Sequence, residues 1–228
     1  MKVRIGLLNR KAGLTVDQFR SHWISVHGAL VSKLPRLRRY EQNHVIHAPQ
    51  GGSGFKSGGD RVDGFSELHF DHDDDMREAL ATQAAKSMVE NEVNFLAQVR
   101  VVTVERIEVV PPPTTGPFNK RISLVRRRSD ISHGDFVREW QGIHAQLIRS
   151  IPGVIGYRQN VIVGRQSPKG REVDYDGLPI DGVVELWFPN PDAPATAFAS
   201  PEGKEALVHT STIAGAITTF PVEPLLIV

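Results

Sequence analysis

The feature that most constrains the fold of this chain is an internal repeat. Residues 4–45 recur as residues 121–162 without a gap, and 12 of these 42 positions are identical at a constant offset of 117. After a length change of one residue, the segment 63–70 matches 181–188 at an offset of 118. The identical pairs include Phe19 and Phe136, Trp23 and Trp140, His27 and His144, Leu30 and Leu147, Pro35 and Pro152, Tyr40 and Tyr157, Gln42 and Gln159, and Asn43 and Asn160. A repeat of this length predicts two copies of one structural unit.

The repeat divides the chain into two units joined by a short linker. We expect unit one at residues 1–110 and unit two at residues 118–228, each long enough to have its own hydrophobic core. Between them, residues 111–117 read Pro-Pro-Pro-Thr-Thr-Gly-Pro. That composition is typical of an extended, semi-rigid connection.

Each unit shows the same order of strand and helix signals. In unit one, alternating residues predict strands at 3–10, 40–47, 64–70 and 99–110. Thr15 followed by Gln18 is the signature of a capped helix start, and the acidic run 71–75 opens a second helix. A Gly/Ser-rich loop at 50–60 precedes the third strand. The order β-α-β-β-α-β is that of a ferredoxin-like unit.

The bare face of each sheet predicts how the two units combine. Both helices of such a unit cover one sheet face, and the other face needs a partner. We therefore predict an α+β protein in which tandem ferredoxin-like units form an intramolecular, pseudo-dimeric α+β barrel, with helices outside and a cavity between the sheets. Strand faces that mix charged with apolar residues are expected to line this cavity, because a packed core rarely takes so many charges. They contain Arg4, Leu8, Arg10, Glu67 and His69 in unit one, and Arg121, Val125, Arg127, Glu185 and Trp187 in unit two.

The repeated pattern resembles the EthD family of the dimeric α+β barrel superfamily. In unit one it consists of a strand ending in Arg10-Lys11, a helix with F-x3-W-x3-H-x2-L, the segment L-P-x4-Y-x-Q-N and a strand with E-L-x-F. Unit two carries every element, with Ile151 in place of Leu34. The resemblance implies a barrel normally made from two chains and here fused into one, in bacterial degradation or secondary metabolism. Members of the family are associated with oxidative ether breakdown, often in an auxiliary role. Similar barrels include cofactor-independent isomerases, decarboxylases, cyclases and monooxygenases that act on lactones or aromatic polyketide-like compounds, and more distant barrels bind haem.

Composition narrows the classes of partner. The formal net charge of +1 gives no reason to expect nucleic acid or an anionic membrane as a partner. The absence of cysteine excludes disulfides and thiolate catalysis. The sequence shows no signal peptide and no membrane span, so we expect a cytoplasmic protein. The fingerprints of dinucleotide-binding, Walker-type, serine-hydrolase and zincin sites are also missing from the sequence.

Two histidines at equivalent positions are the first candidates for chemistry. His27 and His144 share a helix face with aromatic residues, and an imidazole that faces the barrel can serve as general acid or base at neutral pH. Glu67 and Glu185 would orient the imidazole or hold a proton themselves. The alternative is structural: a histidine packed beside Phe and Trp hydrogen-bonds a neighbouring strand. Presence in both copies favours this shared role, because one active site needs only one histidine.

Differences between the copies point to unit one as the end richer in chemical groups. His22, His44 and His69 correspond to Glu139, Val161 and Trp187 of unit two. The opposing interpretation is that these histidines are ordinary surface or rim residues. The expected ligand-binding set draws on both units and consists of Arg4, Arg10, Tyr40, His44, His69, Arg121, Arg127, Tyr157 and Trp187.

Two charged clusters have simple explanations. The run from His69 to Asp75 holds metal-ligating residue types at close spacing, but an acidic helix N-terminus with an Asp as N-cap accounts for it. The basic cluster of Lys33, Arg36, Arg38 and Arg39 is typical of a solvated helix end rather than an anion site. We therefore predict no metal site and no cofactor.

These observations lead to three hypotheses of function. The first is an EthD-like protein that binds a small, largely apolar organic molecule and carries out proton-transfer chemistry: isomerisation, decarboxylation or cofactor-free oxygenation. The second is a non-catalytic accessory protein that serves an oxygenase system. The third is haem binding through one histidine. The exposed sheet edges and second helices leave room for a homodimer of fused barrels.

Overall fold

A computed structural model of the protein describes residues 1–46, 50–51 and 54–228. The strands are β1 (Lys2–Arg10), β2 (Arg39–Val45), β3 (Gln50–Gly51), β4 (Gly64–Phe70), β5 (Leu96–Val110), β6 (Asn119–Arg127), β7 (Gly156–Gln166), β8 (Gly182–Phe188) and β9 (Ala214–Leu226). The helices are α1 (Val16–His22), α2 (Gly28–Val31), α3 (Asp73–Leu80), α4 (Gln83–Glu92), α5 (His133–Glu139), α6 (Ala145–Ser150), α7 (Ala193–Ala199) and α8 (Pro201–Ile213). The predicted strand end at His47 and part of the Gly/Ser-rich loop lie outside the described residues.

Each unit has the predicted order of elements, with differences at their ends. Thr15 caps α1 and accepts a hydrogen bond from the Gln18 backbone N–H, while the Gln18 side chain accepts from the Thr15 N–H. The predicted capping box is therefore confirmed. The N-cap of α3 is His72 rather than an Asp. The second helix of each unit is divided in two, α3 and α4 in unit one and α7 and α8 in unit two.

Eight strands close into one antiparallel barrel. Their order is β2-β4-β1-β5-β7-β8-β6-β9, and β9 pairs back to β2, while the short β3 adds to β9. Two seams join the units, β5 with β7 and β9 with β2. In each seam the last strand of one unit pairs with the second strand of the other, so the duplicated sequence produces a pseudo-twofold barrel. The predicted intramolecular α+β barrel is confirmed.

The strand faces were predicted correctly for β4 but not for β1. Ile5 lies opposite Glu67 in the ladder between these strands, so both side chains point into the barrel. Leu8, on the other face of β1, packs against Trp23 in the helix layer. The charged face of β1, which includes Arg4, therefore lies under the helices. The equivalent face of β6, with Arg121 and Val125, also faces the helices, so the predicted place of both faces between the sheets is wrong. The physical reason is that the closed barrel excludes water, so the purely apolar face of β1 fills it.

The barrel interior is filled, and its two ends differ. Apolar side chains pack at one end, among them Ile5, Leu7, Phe65, Val102, Ile122, Leu124, Val183 and Phe220. At the other end, the buried carboxylates of Glu41, Glu67 and Glu185 form ion pairs with Arg106 and Lys120. Packed side chains thus occupy the space between the sheets, where a cavity was predicted.

The helices lie outside the barrel, and the first helix of each unit contains a π-helical turn. The turns span Trp23–His27 and Trp140–His144. In unit one, the N–H of Gly28 donates to the carbonyl of Trp23, which lies five residues earlier in the chain instead of the four of an α-helix. Such turns occur frequently at functional sites. In the described part of the chain, no helix combines the length and the hydropathy needed to cross a membrane.

Candidate functional site

A cavity lies in unit two, between the sheet and the helices that cover it. Its volume is about 270 Å³, near the lower end of the range for small-molecule sites. Most of its lining is apolar, and Phe55 of unit one contributes to it, so both units form the cavity. Its polar lining consists of Arg121, Ser123, His144, Tyr157, Thr210 and Thr219. This combination of an apolar wall and a few polar groups is characteristic of a site for a small organic molecule.

Two differences between the repeats explain why the cavity lies in unit two. On the second helix and just after it, Glu92 and Phe95 of unit one correspond to Thr210 and Ile213 of unit two. Each unit-two side chain is the smaller of its pair, and both Thr210 and Ile213 line the cavity. The unit that holds more histidines is therefore not the unit that holds this cavity.

In unit one the equivalent region is filled. The ring centroid of Phe95 lies 4.9 Å from that of His27 and 5.8 Å from that of Phe19, and Phe95 is fully buried. Glu92 forms an ion pair with Lys169, which reaches across from unit two. An aromatic ring and an ion pair between the units thus take the place that is open in unit two.

The two candidate histidines have different neighbours. Nδ1 of His27 is 3.2 Å from Oδ1 of Asn91, which accepts the hydrogen bond. In unit two, His209 stands at the position of Asn91, and its ring stacks on that of His144 with centroids 5.5 Å apart. Among the described residues, the buried Nδ1 of His144 has no hydrogen-bond partner. Burial lowers the pKa of each candidate histidine to about 4, so both imidazoles are neutral at pH 7.

Arg121 and Tyr157 add two different polar groups to the cavity. Burial lowers the pKa of Arg121, but a guanidinium remains charged at neutral pH. The Tyr157 hydroxyl accepts a hydrogen bond of 2.7 Å from Nε2 of Gln159, and burial raises its pKa, so the phenol stays protonated. The cavity therefore offers a cation, a neutral imidazole and a neutral hydroxyl.

The Trp, Tyr and Gln residues shared by both copies stabilise the π-helical turns. Nε1 of Trp23 donates to the hydroxyl of Tyr40 at 2.8 Å, and Nε2 of Gln42 donates to the Trp23 carbonyl at 2.9 Å. Gln159 makes the same bond to the Trp140 carbonyl at 2.6 Å. These residues recur because both units need this local hydrogen-bond pattern.

Glu67 and Glu185 lie in the barrel interior, across the sheet from the histidines with which they were predicted to act. Nη2 of Arg106 donates to Glu67 Oε2 at 2.6 Å and to Glu185 Oε1 at 2.7 Å. Nζ of Lys120 is 2.7 Å from Glu41 Oε1 and 2.8 Å from Glu185 Oε2. Burial alone would raise the pKa of Glu67, but Arg106 and Lys120 hold it well below its usual value. The geometry supports a structural role for these carboxylates.

His69 and Trp187 occupy the same end of the barrel interior. Nε2 of His69 is 3.4 Å from Oε2 of Glu67, and Nζ of Lys120 lies 4.8 Å from the ring centroid of Trp187. Both side chains are buried. They border the ion pairs rather than the cavity of unit two.

Arg10 and Arg127 make equivalent ion pairs at the ends of β1 and β6. The backbone N–H of Arg10 donates to Asp63 at 2.9 Å, and that of Arg127 donates to Asp181 at 2.8 Å. The guanidinium groups contact the same carboxylates. This repeated arrangement joins each first strand to the residue that precedes the third strand.

Arg4, Tyr40 and His44 lie on the helix side of unit one. Nε2 of His44 is 3.1 Å from Oε1 of Gln42, and burial lowers the His44 pKa to about 4. Burial likewise lowers the pKa of Arg4 to about 10, against the opposing effect of Glu92. These three residues surround the filled region and not the cavity.

The two charged surface clusters pair with each other. Arg36 lies 2.7 Å from Asp75, and Arg38 lies 2.6 Å from Asp71. Lys2 pairs with Asp73 at 3.1 Å. Ion pairs and the first turn of α3 thus account for this acidic run.

The described residues do not fit a metal ion or a haem well. Oxygens of Glu41, Glu67 and Glu185 lie within 4.8 Å of one another, but Arg39, Arg106 and Lys120 already form ion pairs with all three carboxylates. His144 faces the cavity, yet a volume of about 270 Å³ suits a ligand much smaller than a porphyrin macrocycle.

Several residues that shape these sites were missed from the sequence. Phe55, Thr210 and Ile213 line the cavity, and Arg106 and Lys120 hold the carboxylates. A signal existed for some of them. Extending the repeat along the second helix aligns the large residues of unit one with the small residues of unit two that open the cavity.

Three solved structures show where else this barrel occurs. A provisionally named monooxygenase from Lactobacillus acidophilus NCFM is 14% identical, with a TM-score of 0.59 over 99% of this chain and 94% of that chain. An anthrone oxidase-like protein is 10% identical, with a TM-score of 0.60 over 99% and 93%. A provisionally named chlorite dismutase is 10% identical, with a TM-score of 0.53 over 98% and 95%. At these identities the likeness shows the shared fold alone.

Sequence comparison identifies the family. No curated protein matches the sequence. A profile of the EthD domain matches residues 11–98 and again residues 128–210, so each unit carries its own match and together they cover most of the chain. The protein therefore belongs to the EthD family and carries two EthD domains in one chain.

Proposed function

We propose that this protein binds one small, mainly apolar organic molecule in the cavity of unit two and moves a proton to or from it through His144. The observation that carries the proposal is the cavity itself, which has a volume of about 270 Å³ and a mainly apolar wall. A buried apolar wall favours an apolar ligand, because transfer from water to such a wall is favourable. We expect one such site per chain and no organic cofactor. We also expect the protein to be cytoplasmic.

His144 is the group best placed for proton transfer. It lines the cavity, it is neutral because its pKa is lowered to about 4, and its Nδ1 has no partner among the described residues. A neutral imidazole with an unoccupied nitrogen can accept a proton from a ligand in contact with it. Isomerisation and cofactor-free oxygenation begin with such a step, and decarboxylation ends with the reverse step, in which the carbanion left by CO₂ receives a proton. Glu67 and Glu185 take no part in this proposal, because they lie across the sheet.

The second candidate function is that of an accessory protein that binds the same molecule for an oxygenase system. A specific observation favours it: the pKa of His144 lies well below the pH at which an acid–base group works best. This alternative predicts binding without turnover by the isolated protein. Native mass spectrometry would report a retained ligand and also whether two barrels associate.

Hydrogen–deuterium exchange tests the proton-transfer proposal without knowledge of the natural substrate. The protein is incubated in D₂O with acetophenone and α-tetralone, and mass spectrometry follows deuterium entry beside the carbonyl. We expect exchange above the buffer rate, reduced about 100-fold or more by His144→Gln. Ile213→Phe, which fills the cavity, should abolish it. His27→Gln, at the equivalent position of the filled unit, is the matched control and should leave it unchanged.

The outcomes separate the two functions. Binding that Ile213→Phe removes, together with exchange at the buffer rate, supports the accessory protein. If native mass spectrometry and titration detect no binding of small apolar molecules, or if Ile213→Phe leaves binding intact, the unit-two cavity is not the site.

A further inference from the structure

Arg121 places a positive charge in the cavity, and no counter-ion pairs with it among the described residues. It lines the cavity from β6, and its buried Nε has no hydrogen-bond partner among the described residues. Other cations near the barrel pair with carboxylates, as Arg106 does with Glu67 and Arg127 does with Asp181. No carboxylate in the described part of the chain lies within ion-pair distance of Arg121. Keeping a partly buried charge unpaired costs free energy, so its presence calls for an explanation.

Arg4, the equivalent arginine of unit one, has a carboxylate in its surroundings. The carboxylate of Glu92 raises the pKa of Arg4 against the larger effect of burial, and Glu92 is also paired with Lys169. In unit two Thr210 takes the position of Glu92, and burial lowers the pKa of Arg121 with no opposing carboxylate among the described residues. Both repeats keep the arginine. In unit one Glu92 acts on Arg4 through its charge without forming an ion pair with it, and in unit two no described carboxylate acts on Arg121 in this way.

We propose that the ligand of the unit-two cavity is a small organic acid, whose carboxylate pairs with Arg121 and whose apolar body fills the rest of the cavity. The ligand carboxylate would take the place that Glu92 holds in unit one. A planar guanidinium binds a carboxylate through two parallel hydrogen bonds, which makes it specific as well as strong. This inference rests on the proposed binding function and adds the charge class of the ligand.

The same pairing has a consequence for His144. An anion bound at Arg121 shares a cavity of about 270 Å³ with this imidazole. A nearby negative charge favours the protonated imidazole, so the bound acid moves the His144 pKa upwards, towards the range in which it transfers protons efficiently. The charge of the ligand would thus prepare the group that acts on it.

Matched pairs of acids and amides test the inference. Benzoate and hexanoate are compared with benzamide and hexanamide by isothermal titration calorimetry at pH 7. We expect the acids to bind about 10- to 100-fold more tightly, as for one charge-assisted interaction. Arg121→Met should abolish this preference while the amides still bind. Thr210→Glu, which supplies the carboxylate of unit one, should abolish it as well.

Stability measurements exclude a merely structural role for Arg121. If Arg121 is unpaired until a ligand binds, its charge does not stabilise the free protein. Arg121→Met should then leave the unfolding temperature of the free protein unchanged or raise it. Benzoate should then stabilise the unmodified protein and not this variant. A lowered unfolding temperature with no change in acid binding would contradict the inference.

The remaining outcomes distinguish failure of this inference from failure of the proposed binding function. If acids and amides bind equally well and Ile213→Phe blocks both, the cavity binds neutral molecules and the inference is overturned while the function stands. If chloride or phosphate binds with the affinity of benzoate, Arg121 holds an inorganic anion and the inference is overturned. If neither acids nor amides bind, both the proposed function and this inference are contradicted.

Discussion

Phe95 and Ile213 occupy the same position in the two repeats, and the cavity lies beside the smaller of the two. Phe95 packs on His27 with ring centroids 4.9 Å apart, whereas Ile213 lines the cavity of about 270 Å³ that contains His144. The repeats share a fold and a hydrogen-bond pattern, so this difference in side-chain volume separates a filled unit from an open one.

Phe95→Ile should open a second cavity, in unit one. Removing most of an aromatic ring from a packed region leaves a void, and we expect a loss of about 2 kcal/mol in the free energy of unfolding. Urea denaturation measures the loss. A crystal under xenon pressure locates the void, because apolar cavities take up xenon.

Ile213→Phe is the matched control for this experiment. The unmodified protein should bind xenon in unit two, Ile213→Phe should bind none there, and Phe95→Ile should bind it in both units. Xenon confined to unit two in Phe95→Ile would show that other side chains fill unit one.

Lys120→Met should be among the most destabilising substitutions in the chain. Lys120 is buried between Glu41 and Glu185, and burial would lower its pKa but these carboxylates raise it. Its loss leaves Glu67 and Glu185 to share Arg106 and leaves Glu41 with Arg39, and removal of one partner from a buried ion pair costs about 3–5 kcal/mol. Urea denaturation at pH 7 measures this cost.

The pH dependence of Lys120→Met distinguishes its mechanism. Without Lys120 the buried carboxylates hold protons more tightly than in the unfolded chain, so the variant should regain stability relative to the parent between pH 7 and pH 5. Adding Glu41→Gln should restore part of the loss. A constant difference across this range would mean that lost packing, not charge, causes it.

How far the sequence predicts this protein depends on which residues carry the information. Trp23 and Trp140 are separated by the same constant offset as the other repeated residues. Each copy also contains short local signals, such as Thr15 with Gln18. Together the repeat and these local signals predict two ferredoxin-like units. The charged residues of β1 predict a strand face that lines a water-filled space. This prediction is wrong, because these residues pair with carboxylates at the strand ends or lie under the helices. Nothing in the local pattern of Arg4 distinguishes these places.

The site was harder to predict because it depends on contacts between distant segments. Thr210 and Ile213 can be predicted as cavity residues only when α8 is known to lie near Arg121 and His144. Arg106 and Lys120 correspond to Pro224 and Val3 in the other repeat, so no repeated motif marks the ion pairs of the barrel. The π-helical turns depend on a side chain from β2 or β7, which the helix sequence alone does not contain.

Gln42→Met and Gln159→Met should cost similar amounts of stability. Each glutamine donates to the carbonyl of a tryptophan in a π-helical turn, at 2.9 Å and 2.6 Å. Leaving a buried carbonyl with one donor fewer costs about 1–3 kcal/mol. Thermal denaturation followed by circular dichroism measures both losses.

Gln146→Met is the control for these two variants. Gln146 is an exposed residue of α6, and its substitution should change stability by less than about 0.5 kcal/mol. Equal effects at all three positions would show that the bonds to the tryptophan carbonyls do not stabilise the turns.

Acidification should weaken the protein between pH 6.5 and pH 4. Burial lowers the pKa of His27, His44 and His144 from 6.5 to about 4. In this window the unfolded chain binds protons that the folded chain does not, so stability is complete above pH 6.5 and falls as the pH falls. Each histidine contributes at most about 1.4 kcal/mol per pH unit.

The upper part of the window identifies the histidines as the cause, because the pKa values of Glu41 and Glu67 are lowered from 4.5 and their effect begins only about one pH unit above that value. Urea denaturation between about pH 7.5 and pH 5.5 measures the slope before these carboxylates contribute. Replacing His44 by Gln should reduce this slope by about one third, since one of three titrating groups is removed. An unchanged slope in that variant, or constant stability from pH 6.5 to 5.5, would show that these imidazoles take up protons in the folded state.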